Sequence, residues 1–249
     1  MKRLISANPS EILNMTAQEL KQSIQASEGR VVLSENVVIR ETFIGDITNA
    51  EIARAFGADM ILLNCLDVFQ PEIFGLDCKK EQIVHELHRL VGAPIGVNLE
   101  PVDLEADMLE EVQVIAAGRQ ASQASFEQIE KLGFDFVCLT GNPGTGVSNK
   151  EIIDAVKLAK QHFSGLIIAG KMHGAGVSEP VADLQTAEKL LEAGADVILV
   201  PAVGTVPAFS DEEMRAVVDL VHSKRGLVLS AIGTSQETSD IETIKQIAL

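Results

Sequence analysis

The chain has no tryptophan and no tyrosine, only three cysteines, and 20 basic residues against 36 acidic ones. Each shortage closes off a class of function. Without Trp and Tyr there is no evident platform for stacking bases. A net charge of −16, with Lys and Arg scattered, gives no basic stripe for a phosphate backbone. Nucleic acid is therefore not an expected partner. Cys65, Cys78 and Cys138 are odd in number and lack metal-ligand spacing, and two of them lie in or beside apolar runs, where a thiol acts as a small hydrophobe. A reducing cytoplasm fits that usage. No apolar stretch reaches the ~18 residues of a membrane span. Met1-Lys2-Arg3-Leu4-Ile5-Ser6 lacks the apolar core and cleavage site of a secretory signal. The expectation is a cytoplasmic protein with no membrane partner. Its acidity repels anions at long range, so an anionic substrate has to be held by local donors.

What the chain does have is a repeat. Gly29, Gly57, Gly92, Gly133, Gly165, Gly194 and Gly226, spaced 28 to 41 residues apart, each introduce a short apolar run. The runs are 31–33, 60–63, 94–97, 136–139, 166–169, 197–200 and 227–229. Apolar runs without alternation predict strands buried on both faces, hence a parallel sheet covered by helices. A glycine just past a helix supplies the left-handed residue that ends it, and a period of roughly 30 residues is one βα unit. Helix starts are predicted at the capping boxes Thr16-Ala17-Gln18-Glu19, Ser148-Asn149-Lys150-Glu151 and Ser210-Asp211-Glu212-Glu213, and at Ser178-Glu179-Pro180. Three units share a Gly-x-Asp before the strand, at Asp59, Asp135 and Asp196. The fold expected is a (β/α)8 TIM-type barrel over 1–249 as a single domain, with 1–28 as an N-terminal helical segment packed on the barrel. Seven periods are present where eight are needed, so the barrel lacks its last βα unit and the chain reads as a shortened form. The unpaired strand edges this leaves predict a homo-oligomer.

Barrels place their chemistry at the C-terminal ends of the strands. Those positions hold Glu35, Asn64, Asp67, Asn98, Glu100, Lys171 and His173. Asp67 and Glu100 are the candidate metal ligands, and oxygen donors of this kind suit Mg²⁺ or Mn²⁺. Lys171 is the one lysine at a predicted strand end; it either holds an anion or, desolvated, forms a Schiff base. His173 is the candidate acid/base, because His85 and His88 fall on a helix and are expected to face outward. Glu35 joins Lys171 and His173 as a catalytic candidate. Two loops have the backbone N–H supply of an anion site. One contains Asn142, Gly144, Thr145 and Gly146; the other contains Gly233, Thr234 and Ser235. Neither is a Walker loop or a dinucleotide fingerprint.

Several of these stretches resemble a family: Ala58 to Asn64, Gly96 to Pro101, Ala169 to Gly174 and Ser230 to Glu237. They are similar to an uncharacterised family of bacterial TIM-barrel proteins encoded near sugar phosphotransferase systems, sometimes labelled PEP-phosphonomutase-like. The resemblance implies a lyase or isomerase acting on a small phosphorylated or 2-oxo acid through a metal-stabilised enolate. It does not extend to an Asp-x-Asp stretch, and Gly170-Lys171-Met172-His173-Gly174 has no cysteine where the lyase branch carries one. Two other readings stay open: a Schiff-base aldolase using Lys171, and a non-catalytic sensor of a sugar phosphate.

Overall fold

In the computed structural model, residues 1–103, 105, 108, 113–207, 209–233, 236 and 239–248 are described. Seven strands form one sheet ordered as in the chain. They are β1 (Leu33–Val37), β2 (Met60–Asn64), β3 (Ile95–Leu99), β4 (Phe136–Leu139), β5 (Leu166–Gly170), β6 (Val197–Pro201) and β7 (Leu227–Ala231). The helices are α1 (Pro9–Ile12), α2 (Ala17–Ala26), α3 (Asn49–Ala55), α4 (Ile83–Val91), α5 (Gln123–Leu132), α6 (Asn149–His162), α7 (Leu184–Ala193), α8 (Asp211–Ser223) and α9 (Ile241–Ala248). The chain forms two compact units. The first is Met1–Leu99, Ile115–Cys138 and Leu158–Ile167; the second is Glu100–Val114, Leu139–Lys157 and Ile168–Leu249.

In the first unit β1, β2 and β3 pair in parallel, with Glu35 opposite Leu62 and Leu62 opposite Gly96. Every residue of β2 and β3 is buried, as a run without alternation requires. Gly96 is there for packing: a Cβ on it would lie 2.2 Å from the Phe136 ring. The repeated Gly-x-Asp also has a physical reason in this unit. The Asp59 carboxylate accepts from Val32 N at 2.9 Å, and that of Asp135 from Ile95 N at 2.7 Å. Each aspartate thus satisfies a backbone donor at the start of the neighbouring strand, which would otherwise lack a partner. Asp135 also holds His88 Nε2 at 2.7 Å, so His88 turns inward onto a carboxylate and, of the two, His85 alone faces solvent.

In the second unit β5 pairs with β6 and β6 with β7, again in parallel. The buried stripe of α8, Val217 and Val221, follows helical spacing. Its N-terminus carries the predicted box, with Ser210 accepting from Glu213 N and Glu213 from Ser210 N.

Four expectations need correction. β1 starts at Leu33 rather than Val31, which puts Glu35 inside the strand, and the residues of β1 and β7 are only partly buried, with Glu35 and Ser230 exposed. Gly165 and Gly226 do not adopt the left-handed conformation; Arg225 does so before β7, at φ 62°. These two glycines are needed for space, since a Cβ would meet the Phe163 ring at 2.3 Å or Leu191 at 2.7 Å. Ser178-Glu179-Pro180 starts no helix. That helix begins at Leu184, capped by Asp183, which accepts from Thr186 N at 2.9 Å. Among the described residues, no helix is long and apolar enough to cross a membrane.

Candidate functional site

Two polar clusters sit at strand ends, one in each unit. In the first, the parallel register places Glu35, Asn64 and Asn98 on one face of β1–β3, because side chains two apart share a face. Asn64 Nδ2 donates to Glu35 Oε1 at 2.5 Å, and Asn98 Nδ2 and Cys65 N both donate to Asn64 Oδ1, at 3.1 and 2.8 Å. Asn64 and Asn98 are buried. Burial, with the Glu35 carboxylate second, pushes the Cys138 thiol above its ordinary range, which disfavours the thiolate there. Asp67, in the same unit, is engaged locally. Its Oδ1 accepts from Phe69 N at 2.9 Å and Gln70 N at 3.3 Å, and it lies against Gly118, where a Cβ would come within 1.8 Å of it.

The second cluster brings together most of the residues expected from the sequence. Glu100 follows β3 and is 1% exposed. Its two oxygens accept from Asn142 N and Asn142 Nδ2, both at 2.8 Å. The Asn142 carbonyl accepts from Thr145 Oγ1 at 2.8 Å and Thr145 N at 3.3 Å. Gly146 N donates to the Ala175 carbonyl at 3.1 Å, and Ala175 N donates to His173 Nδ1 at 3.0 Å. Ala175, which makes both bonds, takes the left-handed conformation, φ 52°. The N–H groups of Asn142, Thr145 and Gly146 in this loop therefore already donate to the protein's own acceptors, Glu100 and the carbonyls of Asn142 and Ala175.

Lys171, just past β5, is among the largest fully buried side chains, at 1% exposure. Its Nζ donates to Glu179 Oε1, and the same oxygen accepts from Asn149 N at 2.6 Å, at the first residue of α6. Burial pulls the Lys171 pKa down, against the ion pair with Glu179, which pulls it up. Burial and the neighbouring Lys171 charge likewise hold His173 below its ordinary value, opposed by Glu100. His173 Nδ1 accepts from Ala175 N, and a neutral ring that accepts at Nδ1 carries its hydrogen on Nε2. It is built to donate from Nε2, and a proton gained at Nδ1 would cost it the bond from Ala175 N.

The sequence gives no sign of Glu179 as a partner of Lys171. Its only local signal, a serine before and a proline after, reads as a helix start, whereas the pairing is set by the path of the 174–183 loop. The Ser148 box is half formed for a related reason. Ser148 accepts from Glu151 N at 3.3 Å, but Glu151 pairs with Lys150, and the next donor, Asn149 N, goes to Glu179. Gly233 lies in the loop after β7, its carbonyl accepting from Gln236 N at 3.0 Å. Thr234 and Ser235 lie outside the described residues.

The metal expected at Asp67 and Glu100 does not fit the donors as arranged. Asp67 Oδ1 and both Glu100 oxygens already accept N–H hydrogens. Among the described residues, no three His, Cys, Asp or Glu side chains come together as a metal site.

The fold is shared with solved enzymes. The structure of 2,3-dimethylmalate lyase, a PEP mutase/isocitrate lyase superfamily member, aligns at a TM-score of 0.53 and 13% identity, over 94% of this chain and 78% of the lyase. Phosphonopyruvate hydrolase, solved with oxalate and Mg²⁺, aligns at 0.51 and 16% identity, over 94% and 78%. At these identities the likeness is one of fold. No curated protein matches the sequence. Residues 5–249 match the family described as "Domain of unknown function (DUF7916)", and the chain belongs to that family.

Proposed function

We propose that this chain is a lyase or isomerase acting on a small phosphorylated or 2-oxo acid through an enolate. The observation that carries the reading is Lys171, a cation 1% exposed at the end of β5, with His173 beside it and a bound carboxylate on its Nζ. A buried ammonium already in place where charge develops stabilises an enolate oxygen without reorganising solvent. His173 Nε2–H supplies a second donor to the same oxygen. Glu35, in the other polar cluster, remains a separate candidate for proton transfer, to be tested through Glu35→Gln. The likeness in fold to PEP mutase/isocitrate lyase superfamily members supports the reaction class and leaves the substrate open. No step here is routed through Mg²⁺ or Mn²⁺, because the expected carboxylates are engaged by N–H groups.

The test is turnover of a panel of 2-oxo acids and phosphonates. Lys171→Ala abolishes activity, while Lys171→Arg keeps an appreciable part, since arginine retains the charge. The lowered pKa of Lys171 favours a second reading, a Schiff-base aldolase. That reading predicts an inactive arginine variant and covalent trapping by borohydride with a carbonyl substrate. A folded Lys171→Ala variant with full activity refutes both.

For the fold, we read the seven strands as part of a (β/α)8 barrel short of its last βα unit. The outermost strands in the sheet order, β1 and β7, are only partly buried, and a further βα unit or a second copy of the chain would pair there.

A further inference from the structure

The contact between Lys171 and Glu179 bears on what the site binds. Two donors converge on one oxygen, Glu179 Oε1. One is the ammonium of Lys171, and the other is Asn149 N–H at the head of the 14-residue helix α6. A buried cation and the positive end of a helix, aimed at one point, make an oxyanion site. Glu179 belongs to a stretch with no helix or strand, between β5 and α7, and its side chain is 23% exposed, so it has a path to solvent. Among the described residues, few bonds tie that stretch to its surroundings. Asn149 Nδ2 donates to the Pro180 carbonyl at 2.9 Å, Gly146 N bonds the Ala175 carbonyl, and a bridge links Val177 to Met108.

We propose that Glu179 is an internal stand-in for the substrate's anionic group, a carboxylate or a phosphate. An incoming oxyanion takes the place of Glu179 Oε1 between Lys171 Nζ and Asn149 N, and the 174–182 segment releases as the glutamate turns to solvent. This rests on the reading of Lys171 as the cation of the proposed active site, and it specifies the ligand chemistry there. It also answers the charge problem. In a chain of net charge −16, an exposed cationic pocket would draw any anion or the protein's own carboxylates. A built-in glutamate fills the pocket with one defined anion and sets a threshold that only a better-fitting one passes.

The experiment is calorimetric titration of the full chain with inorganic phosphate and, separately, malonate, with no turnover involved. Glu179→Gln removes the competing charge at constant shape. It is expected to bind one of the two probes at least tenfold more tightly than the native chain, the factor for a site that is open in at most one molecule in ten. Lys171→Met binds neither. The preferred probe shows whether a phosphoryl or a carboxylate group is held. Hydrogen exchange on the native chain gives an independent readout: saturation with the bound probe speeds exchange in 174–182. The proposal is overturned if a folded Glu179→Gln binds both probes no more tightly than the native chain. It is overturned equally if neither protein binds either probe, or if exchange in 174–182 slows on binding. Should Glu179→Gln fail to fold, the exchange result decides. Anion capture as described, with no turnover of any 2-oxo acid or phosphonate, sinks the lyase reading and leaves this one standing; turnover lost in Lys171→Ala with unchanged anion binding in Glu179→Gln does the reverse.

Discussion

Replacing Glu179 by alanine leaves Lys171 as a buried ammonium with its carboxylate removed, and breaking a buried pair from one side costs about 3–5 kcal/mol. The α6 N-terminus also loses an acceptor, at about 1 kcal/mol. The lysine has one escape, which is to release its proton. From its ordinary value of 10.5, that costs about 4.8 kcal/mol at pH 7 and about 2 kcal/mol at pH 9. The ammonium penalty is therefore capped, and the cap falls as pH rises. The sign follows from linkage. Burial holds the folded-state pKa below the unfolded one, so the folded chain binds fewer protons at Lys171. Its penalty is complete below the lowered pKa and is relieved as pH climbs towards 10.5. The exposed Lys150 and Lys224, pushed up by Glu151 and Glu188, slope the other way, but they are common to all variants and cancel in the difference. Lys171→Met should behave differently, because Glu179 keeps its bond to Asn149 N at the positive end of α6 and part of its hydration. It is expected within about 1 kcal/mol of the native chain. The assay is urea unfolding followed by far-UV circular dichroism at pH 7 and pH 9. Glu179→Ala should lose about 3–5 kcal/mol at the lower pH and clearly less at the higher. Equal losses in Glu179→Ala and Lys171→Met, or a loss in Glu179→Ala that does not shrink at pH 9, would refute the argument.

Three further outcomes are expected. Gly96→Ala drives a methyl into the Phe136 ring and should lower stability by about 1–3 kcal/mol; adding Phe136→Leu should recover part of it, and additive losses in that double mutant would show that the two do not touch. His173 should titrate below 6.5 by NMR, since burial and then the Lys171 charge disfavour its cation. Its neutral form supports the fold above that value, and the support is lost as pH falls through its lowered pKa; Lys171→Met should move the titration upward, and an unmoved His173 would remove the coupling. Asp135→Ala takes the acceptor from both His88 Nε2 and Ile95 N and should cost about 1–3 kcal/mol in thermal or urea unfolding, whereas a neutral result would mean that water replaces the carboxylate at both.

The sequence by itself determined most of the strands and helix caps and the positions open to chemistry, because each depends on residues near in the chain. Unalternated runs such as 60–63 and 136–139 are buried whatever surrounds them, and Thr16 or Ser210 caps its helix from three residues away. The strand-end rule then selects Glu100, Lys171 and His173 without any knowledge of their partners. The tertiary structure decided what those residues do. Asp67 and Glu100 look alike as strand-end carboxylates, but one closes its own turn and the other holds Asn142 from 42 residues away. Gly165 and Gly133 look alike as helix-ending glycines, yet only Gly133 needs the left-handed conformation, and Gly165 makes room for Phe163. Glu179 looks like the start of a helix and becomes the counter-ion of the most buried cation in its unit. In each case the deciding interaction is a hydrogen bond or a steric limit made by groups that the chain path brings together. Periodicity and local spacing carry no record of such partners.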